Sequence, residues 1–131
     1  MRKSFLPFVG LAALMFATAA LAQNAPTKTG ESAKGKVLTD AKGMTLYTFD
    51  KDAGGKSACN GPCVTNWPPL MAAVDSKPAG AYAVITRDDG SKQWVYKGRP
   101  LYTWQKDQKP GDITGDGVNN VWHIAQPPKS D

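Results

Sequence analysis

Two short stretches of this chain carry the same set of ring-bearing and acidic side chains. Tyr47, Phe49 and Asp52 form one set, and Tyr102, Trp104 and Asp107 repeat its spacing 55 residues later. Four rings and two carboxylates so arranged could stack a flat molecule and orient it. In a strand, Tyr47 and Phe49 project from the same side, and Asp52 falls just past the strand end. The plainer expectation is therefore a core aromatic pair in each copy, with Asp52 and Asp107 capping the following loops by accepting backbone N–H bonds. A third reading makes the two aspartates an acid/base dyad, although nothing flanking them resembles an aspartic-protease motif.

The other reactive residues are few. Cys59 and Cys63 are the only cysteines, and in an oxidising compartment they are expected to form one disulfide, worth about 2 kcal/mol for so short a loop. Gly61-Pro62-Cys63 echoes the tail of a thioredoxin-type Cys-Gly-Pro-Cys, but three residues separate these cysteines instead of two. A redox thiol is commonly activated at a helix N-terminus, and Pro68 and Pro69 would stop such a helix almost at once. A structural clip is the expectation. Zinc would need more Cys and His ligands than the chain has.

His123, the only histidine, follows Trp122 in an expected strand. With Trp122 buried, it should look outward or into the interface between the copies. With Met44 or Met71 as a soft partner it is the candidate ligand for copper or haem, though no Cys-x-x-Cys-His attachment sequence is present. Asp112, Thr114 and Asp116, followed by Gly117, match the first half of a calcium loop; His123 stands at the twelfth position, where a bidentate Glu belongs. A Gly-Asp turn is the expected role there, and neither metal nor cofactor is expected.

The elements that must position these residues are themselves doubled. Lys42 to Asp52 returns as Lys97 to Asp107 with seven of eleven residues identical, and at the same offset Trp67 falls on Trp122, both expected as structural aromatics. Such self-similarity is the mark of two copies of one supersecondary unit. Met44 to Phe49 alternates with period two and suits a strand covered on both faces. Val37 to Thr39 before it and Gln93 to Tyr96 before the second copy predict a β-hairpin at the head of each unit. Ala81 to Thr86 and Asn120 to Ala125 complete the expected strands, with at most a helical turn around Cys63 to Asn66. The fold class is all-β and antiparallel, in two hairpin-based repeats related by an approximate two-fold. Cys59 and Cys63 fall on Thr114 and Val118, so the same loop is held by a disulfide in one copy and by Gly and Asp turns in the other.

Residues 1–22 read as a cleaved export signal, with Arg2 and Lys3 leading an apolar stretch that ends at Ala20-Leu21-Ala22. Residues 23–34 hold nothing that would join a core and are expected to be a disordered leader. Residues 35–131 make one domain, with repeats at about 35–72 and 81–128. The formal charge of +5 is spread along the chain, which argues against nucleic acid or an anionic membrane as partner.

The paired motifs resemble those of the bacterial "secreted repeat of unknown function", a family also described as predicted lipoproteins with a Tyr-x-aromatic-x-x-Asp motif. The resemblance extends through Cys59 to Cys63, Asn66 to Leu70, Asp89 to Ser91, Gly98 to Tyr102, Pro110 to Asp112 and Val121 to His123. It implies an exported two-repeat domain, and the chain departs from the lipoprotein pattern in having no cysteine at the expected cleavage point. The expectation is a free periplasmic or secreted monomer, not an enzyme, binding a small molecule or an envelope protein through Tyr47, Phe49, Asp52, Tyr102, Trp104 and Asp107. The alternative is a redox, metal or haem-handling protein using His123, Met44, Met71 or the cysteine pair.

Overall fold

The computed structural model describes residues 26–128; the expected signal sequence lies outside them. The described chain is all-β and antiparallel. Its strands are β1 (Lys28–Ser32), β2 (Gly35–Thr39), β3 (Tyr47–Phe49), β4 (Met71–Ala72), β5 (Tyr82–Thr86), β6 (Lys92–Tyr96), β7 (Arg99–Pro100) and β8 (Trp122–Ile124). One short helix, α1 (Pro62–Asn66), forms where a helical turn was expected, and a 3-10 turn spans Val118–Asn120. β1 pairs with β2, β3 with β8, and β6 is flanked by β5 on one side and by β4 and β7 on the other.

Hydrogen bonding repeats from one unit to the next. The amide of Ala125 donates to the Leu46 carbonyl at 2.8 Å, and that of Leu70 to Leu101 at 2.9 Å; the amide of Asp50 donates to Val121 at 2.8 Å, and that of Gln105 to Asn66 at 3.0 Å. The units meet where Tyr47 and Tyr102 exchange both backbone bonds, at 2.7 and 3.0 Å. The repeats therefore join edge to edge, with the equivalent tyrosines in equivalent settings. Each unit also carries the expected hairpin, seen in the amide of Leu46 donating to Leu38 and that of Leu101 donating to Trp94. The leucines keep the sequence offset, but Leu38 and Trp94 do not, because the first turn is one residue longer. The Asp40 carboxylate fastens that longer turn by accepting from the amides of Lys42 and Met44. The shorter turn is Lys97-Gly98, with φ of 51° and 82°, the double positive φ of a type I′ hairpin.

Residues 45–48 are buried on both faces, as their alternation predicted. Leu46 and Leu101 join Leu38, Tyr96 and Ala125 in one apolar cluster, while Tyr47 and Tyr102 join Trp67, Trp122 and Cys59 in another. The seam is thus the floor of both clusters.

The disordered-leader expectation for 23–34 is corrected in part, because Lys28–Ser32 is β1. Its sequence has no apolar side chain, so composition gave no sign of it. Its order comes from backbone pairing along β2, from Lys28 opposite Thr39 to Ser32 opposite Gly35, which covers an otherwise open edge. Gly30 permits the close approach: a Cβ there would lie 2.8 Å from the Thr39 Cγ2.

Since the seam completes both clusters, neither half should fold without the other. Chain cleavage after Asp75, in the mostly exposed connection 73–80, is expected to leave the halves associated in native gel filtration. Each half isolated after denaturation should show no β-type circular dichroism until the two are remixed.

Candidate functional site

The side chains of the repeated motif assemble a stack of four rings across the seam. Phe49 lies on Trp122 with centroids 4.1 Å apart, Trp122 on Trp67 at 3.7 Å with planes 2° apart, and Trp67 on Trp104 at 3.9 Å. Tyr47 meets Trp67 edge-on at 5.5 Å, and Tyr102 meets Trp122 edge-on at 5.2 Å. Each tryptophan brings on the order of 200 Å² of ring surface, so the two inner indoles carry a large share of a small domain's burial energy. Period two puts the rings on one face of β3 and of its counterpart; Trp122 arrives from β8, paired beside β3, and Trp67 from the C-terminal end of α1.

The aspartates cross over. The Tyr47 hydroxyl donates to Asp107 at 2.6 Å, and the Tyr102 hydroxyl donates to Asp52 at 2.7 Å. Each motif's tyrosine is completed by the other motif's aspartate. The second oxygen of each carboxylate caps its own loop, Asp52 accepting from the Ala58 amide at 2.7 Å and Asp107 from Thr114 through amide and hydroxyl at 2.9 and 2.7 Å. The loop-capping role was expected; the crossed bond was not.

Charge and burial set the protonation of this frame. Burial, and behind it the bond to Asp107, holds the Tyr47 phenol far above its ordinary 10.0; Tyr102 is raised as well, mainly by burial. Burial also raises Asp52 above 3.8, against the opposing pull of the Ala58 amide, the Tyr102 hydroxyl and the Arg87 cation. Arg87 is buried and donates to Ser57 at 2.9 Å, the Gln93 side chain at 2.7 Å and the Cys59 carbonyl at 2.6 Å. Gln93, fully buried, passes the network on to the Leu101 carbonyl. Arg87 and Gln93 were not singled out in the sequence. An arginine ahead of Asp88 to Ser91 reads as a surface residue of a turn, and no local signal says otherwise.

These placements decide among the expected sites. Tyr47 and Tyr102 have no exposed surface, so they cannot form the ligand surface proposed for them. Of the six residues, Phe49 and Trp104 keep partly open rings at the two ends of the stack, and Lys106 sits 5.9 Å above the Trp104 ring. Cys59 and Cys63 form the expected disulfide, and both pack on the aromatic cluster. Asp112 caps the Gln108 and Lys109 amides, and Asp116 accepts from the Ile124 amide and from Lys34 at 2.6 Å. Their oxygens are engaged in a turn, and among the described residues no group of three or more His, Cys, Asp or Glu converges as metal ligands. Burial opposes the charge on Asp116, but the Lys34 ammonium and the Ile124 amide outweigh it and hold the carboxyl below 3.8. Met71 is half exposed on β4, a strand paired with β6 and not with the His123 strand.

His123 does face outward, as expected. It lies opposite Thr48 in the β3–β8 ladder, and its Nε2 is 2.8 Å from an Asp50 oxygen. The pair borders a pocket of about 400 Å³, lined also by Thr48, Tyr96, Lys97, Arg99 and Ile124. The frame is doubled, but three polar side chains of this pocket are not. At the repeat offset, Asp50 becomes Gln105, His123 becomes Pro68 and Arg99 becomes Met44.

Two measurements check the frame. A Cβ on Gly115 would lie 2.9 Å from the Trp67 ring and 3.0 Å from Trp104, and the Gly115 amide donates to the Tyr47 hydroxyl. Gly115→Ala should therefore cost about 1–3 kcal/mol in urea unfolding and weaken the near-ultraviolet circular dichroism of the coupled indoles. Asp52 tests the charge balance. A carboxyl raised in the folded state binds its proton more tightly there than in the unfolded chain, so its contribution is fullest below 3.8 and is lost as pH rises through the raised value. The stability of Asp52→Asn relative to the parent should accordingly improve as pH rises above 3.8, measured by urea unfolding across that range.

A family model described as "secreted repeat of unknown function" matches residues 28–71 and 83–126. The two matches stand 55 residues apart, the offset of the doubled motif, and the first begins with β1. No curated protein and no solved structure matches the chain. Among the described residues no helix is long and apolar enough to cross a membrane. With both repeats matched over more than half its length, the chain belongs to the family of the secreted repeat of unknown function.

Proposed function

We propose that the chain is a non-enzymatic binding module, released into the periplasm or the medium as a monomer, whose site is the pocket beside Asp50 and His123. The observation that carries this reading is the break in symmetry. Wherever the two repeats agree in tyrosine, tryptophan and aspartate, the side chains are spent on one another inside the frame. Where they disagree, at Asp50, Arg99 and His123, polar groups drawn from both repeats converge on an open pocket. The aromatic frame then serves as a rigid support, and Phe49 and Trp104 end the stack without forming a ligand clamp.

The absence of catalysis is part of the proposal. Both cysteines are bonded to each other, and the histidine is engaged by Asp50, with no serine or cysteine among the pocket's lining residues to serve as nucleophile. The test is native mass spectrometry of the protein purified from its own host. A small-molecule adduct that is retained by the parent and lost in His123→Ala, with both proteins equally folded, supports the reading. An adduct of equal abundance in both, or bare protein throughout, defeats it.

A further inference from the structure

The pocket beside Asp50 has a chemical character that narrows what it would hold. Its lining brings two fixed cations, Lys97 and Arg99, against one carboxylate, Asp50, which is already bonded to His123 at 2.8 Å. Ile124, Ala125 and the Tyr96 ring give it an apolar side, and Thr48 and Gln126 add neutral polar groups. Tyr96 is 8% exposed, and its hydroxyl is the buried side-chain polar atom among the described residues that lacks a hydrogen-bond partner. That hydroxyl is sealed from solvent within the apolar cluster, so what Tyr96 offers the pocket is ring surface.

Lys97 adds an independent sign. It stands at φ 51° in the Lys97-Gly98 turn, a position that favours Asn, Asp or Gly. A lysine there carries backbone strain, and such strain gathers at ligand sites. Its ammonium also lies 5.4 Å from the Tyr96 ring centroid, so a cation and an aromatic ring adjoin in the pocket's lining. Arg99 follows two residues later on β7, and its register partner on β6 is Tyr96.

We propose that this pocket binds a small organic oxyanion, a carboxylate or phosphate borne on an apolar body, with Lys97 and Arg99 holding the anionic head and the Tyr96 ring meeting the body. The assignment rests on the reading that the pocket is the module's site, and adds the ligand's class. The Thr48 and His123 side chains border the head, while Ile124 and Ala125 meet the body.

The experiment is isothermal titration of the full exported chain with four probes of similar shape: benzoate, phenyl phosphate, benzylamine and benzyl alcohol. Benzoate or phenyl phosphate should bind saturably, and benzylamine and benzyl alcohol at least about tenfold more weakly; the tighter of the two anions identifies the head group. Lys97→Gly suits the turn's positive φ, so it should fold at least as well as the parent while weakening the anion about tenfold, the effect of losing one charge-assisted hydrogen bond. Arg99→Gln should weaken it comparably. Binding by all four probes alike, by none, or undiminished in Lys97→Gly or Arg99→Gln overturns the assignment. The two readings fail separately: a neutral or cationic adduct on protein from the native host, lost in His123→Ala, leaves the binding module standing and removes only the anion.

Discussion

The crossed tyrosine–aspartate bonds are the constraint on which the rest of the molecule depends. A hydroxyl inside an aromatic cluster must find an acceptor, and a carboxylate near such a cluster must find donors. Each repeat supplies one of each but cannot join its own pair, because Asp52 and Asp107 lie beyond the strand ends while the tyrosines point across the seam. Joining the pairs between repeats solves both problems with two bonds of 2.6 and 2.7 Å. It also fixes the edge-to-edge approach that stacks Trp67 on Trp122. The backbone exchange between Tyr47 and Tyr102, the ring stack and the two loop caps are consequences of one geometric choice.

The stack shows which positions the symmetry reads closely. Its inner decks are Trp67 and Trp122, and each indole faces its own counterpart at 3.7 Å. A change of shape there would be felt on both sides of the seam. The outer decks are Phe49 and Trp104, which pack on one face and are partly open on the other. The single aromatic exchange between the two motifs falls on the outer deck. Positions packed on two faces are identical, and positions packed on one face are free to differ in size.

Much of this was legible in the sequence, because the signals were local or periodic. The period-two run at Met44 to Phe49, the hairpin turns at Asp40 to Gly43 and Lys97-Gly98, the disulfide and the outward His123 all follow from residue type and spacing. The crossing of the tyrosine–aspartate pairs did not, since a repeat shows that two sites are equivalent but not which partner each one takes. β1 escaped because its order lies in backbone pairing with β2 and not in its own side chains. Arg87 and Gln93 escaped for a related reason: their burial depends on Ser57, Cys59 and Leu101, residues brought to them only by the finished fold. The pocket beside Asp50 was half visible. His123 was noticed for being unique, but Thr48, Asp50, Lys97 and Arg99 sit among the doubled residues, and only the fold brings them together beside it.

The two loops that bring donors to the crossed pairs are built differently, and the difference bears on what each half can do. In the second unit, Gly115 offers its amide to the Tyr47 hydroxyl, and Thr114 binds Asp107 twice. The caps there are compact and come from neighbouring residues of one turn. In the first unit, Ser57 meets the Tyr102 hydroxyl at 2.6 Å and is itself held by Arg87, which also grips the Cys59 carbonyl. The disulfide shortens that loop's range of motion, and the arginine ties it to the turn between β5 and β6. The Cys59–Cys63 bridge therefore does more than close a five-residue segment: it keeps the Cys59 carbonyl where the buried guanidinium needs an acceptor. A charge placed in that interior is stable only while its full set of acceptors is in place, so the first unit depends on oxidation in a way that the second does not.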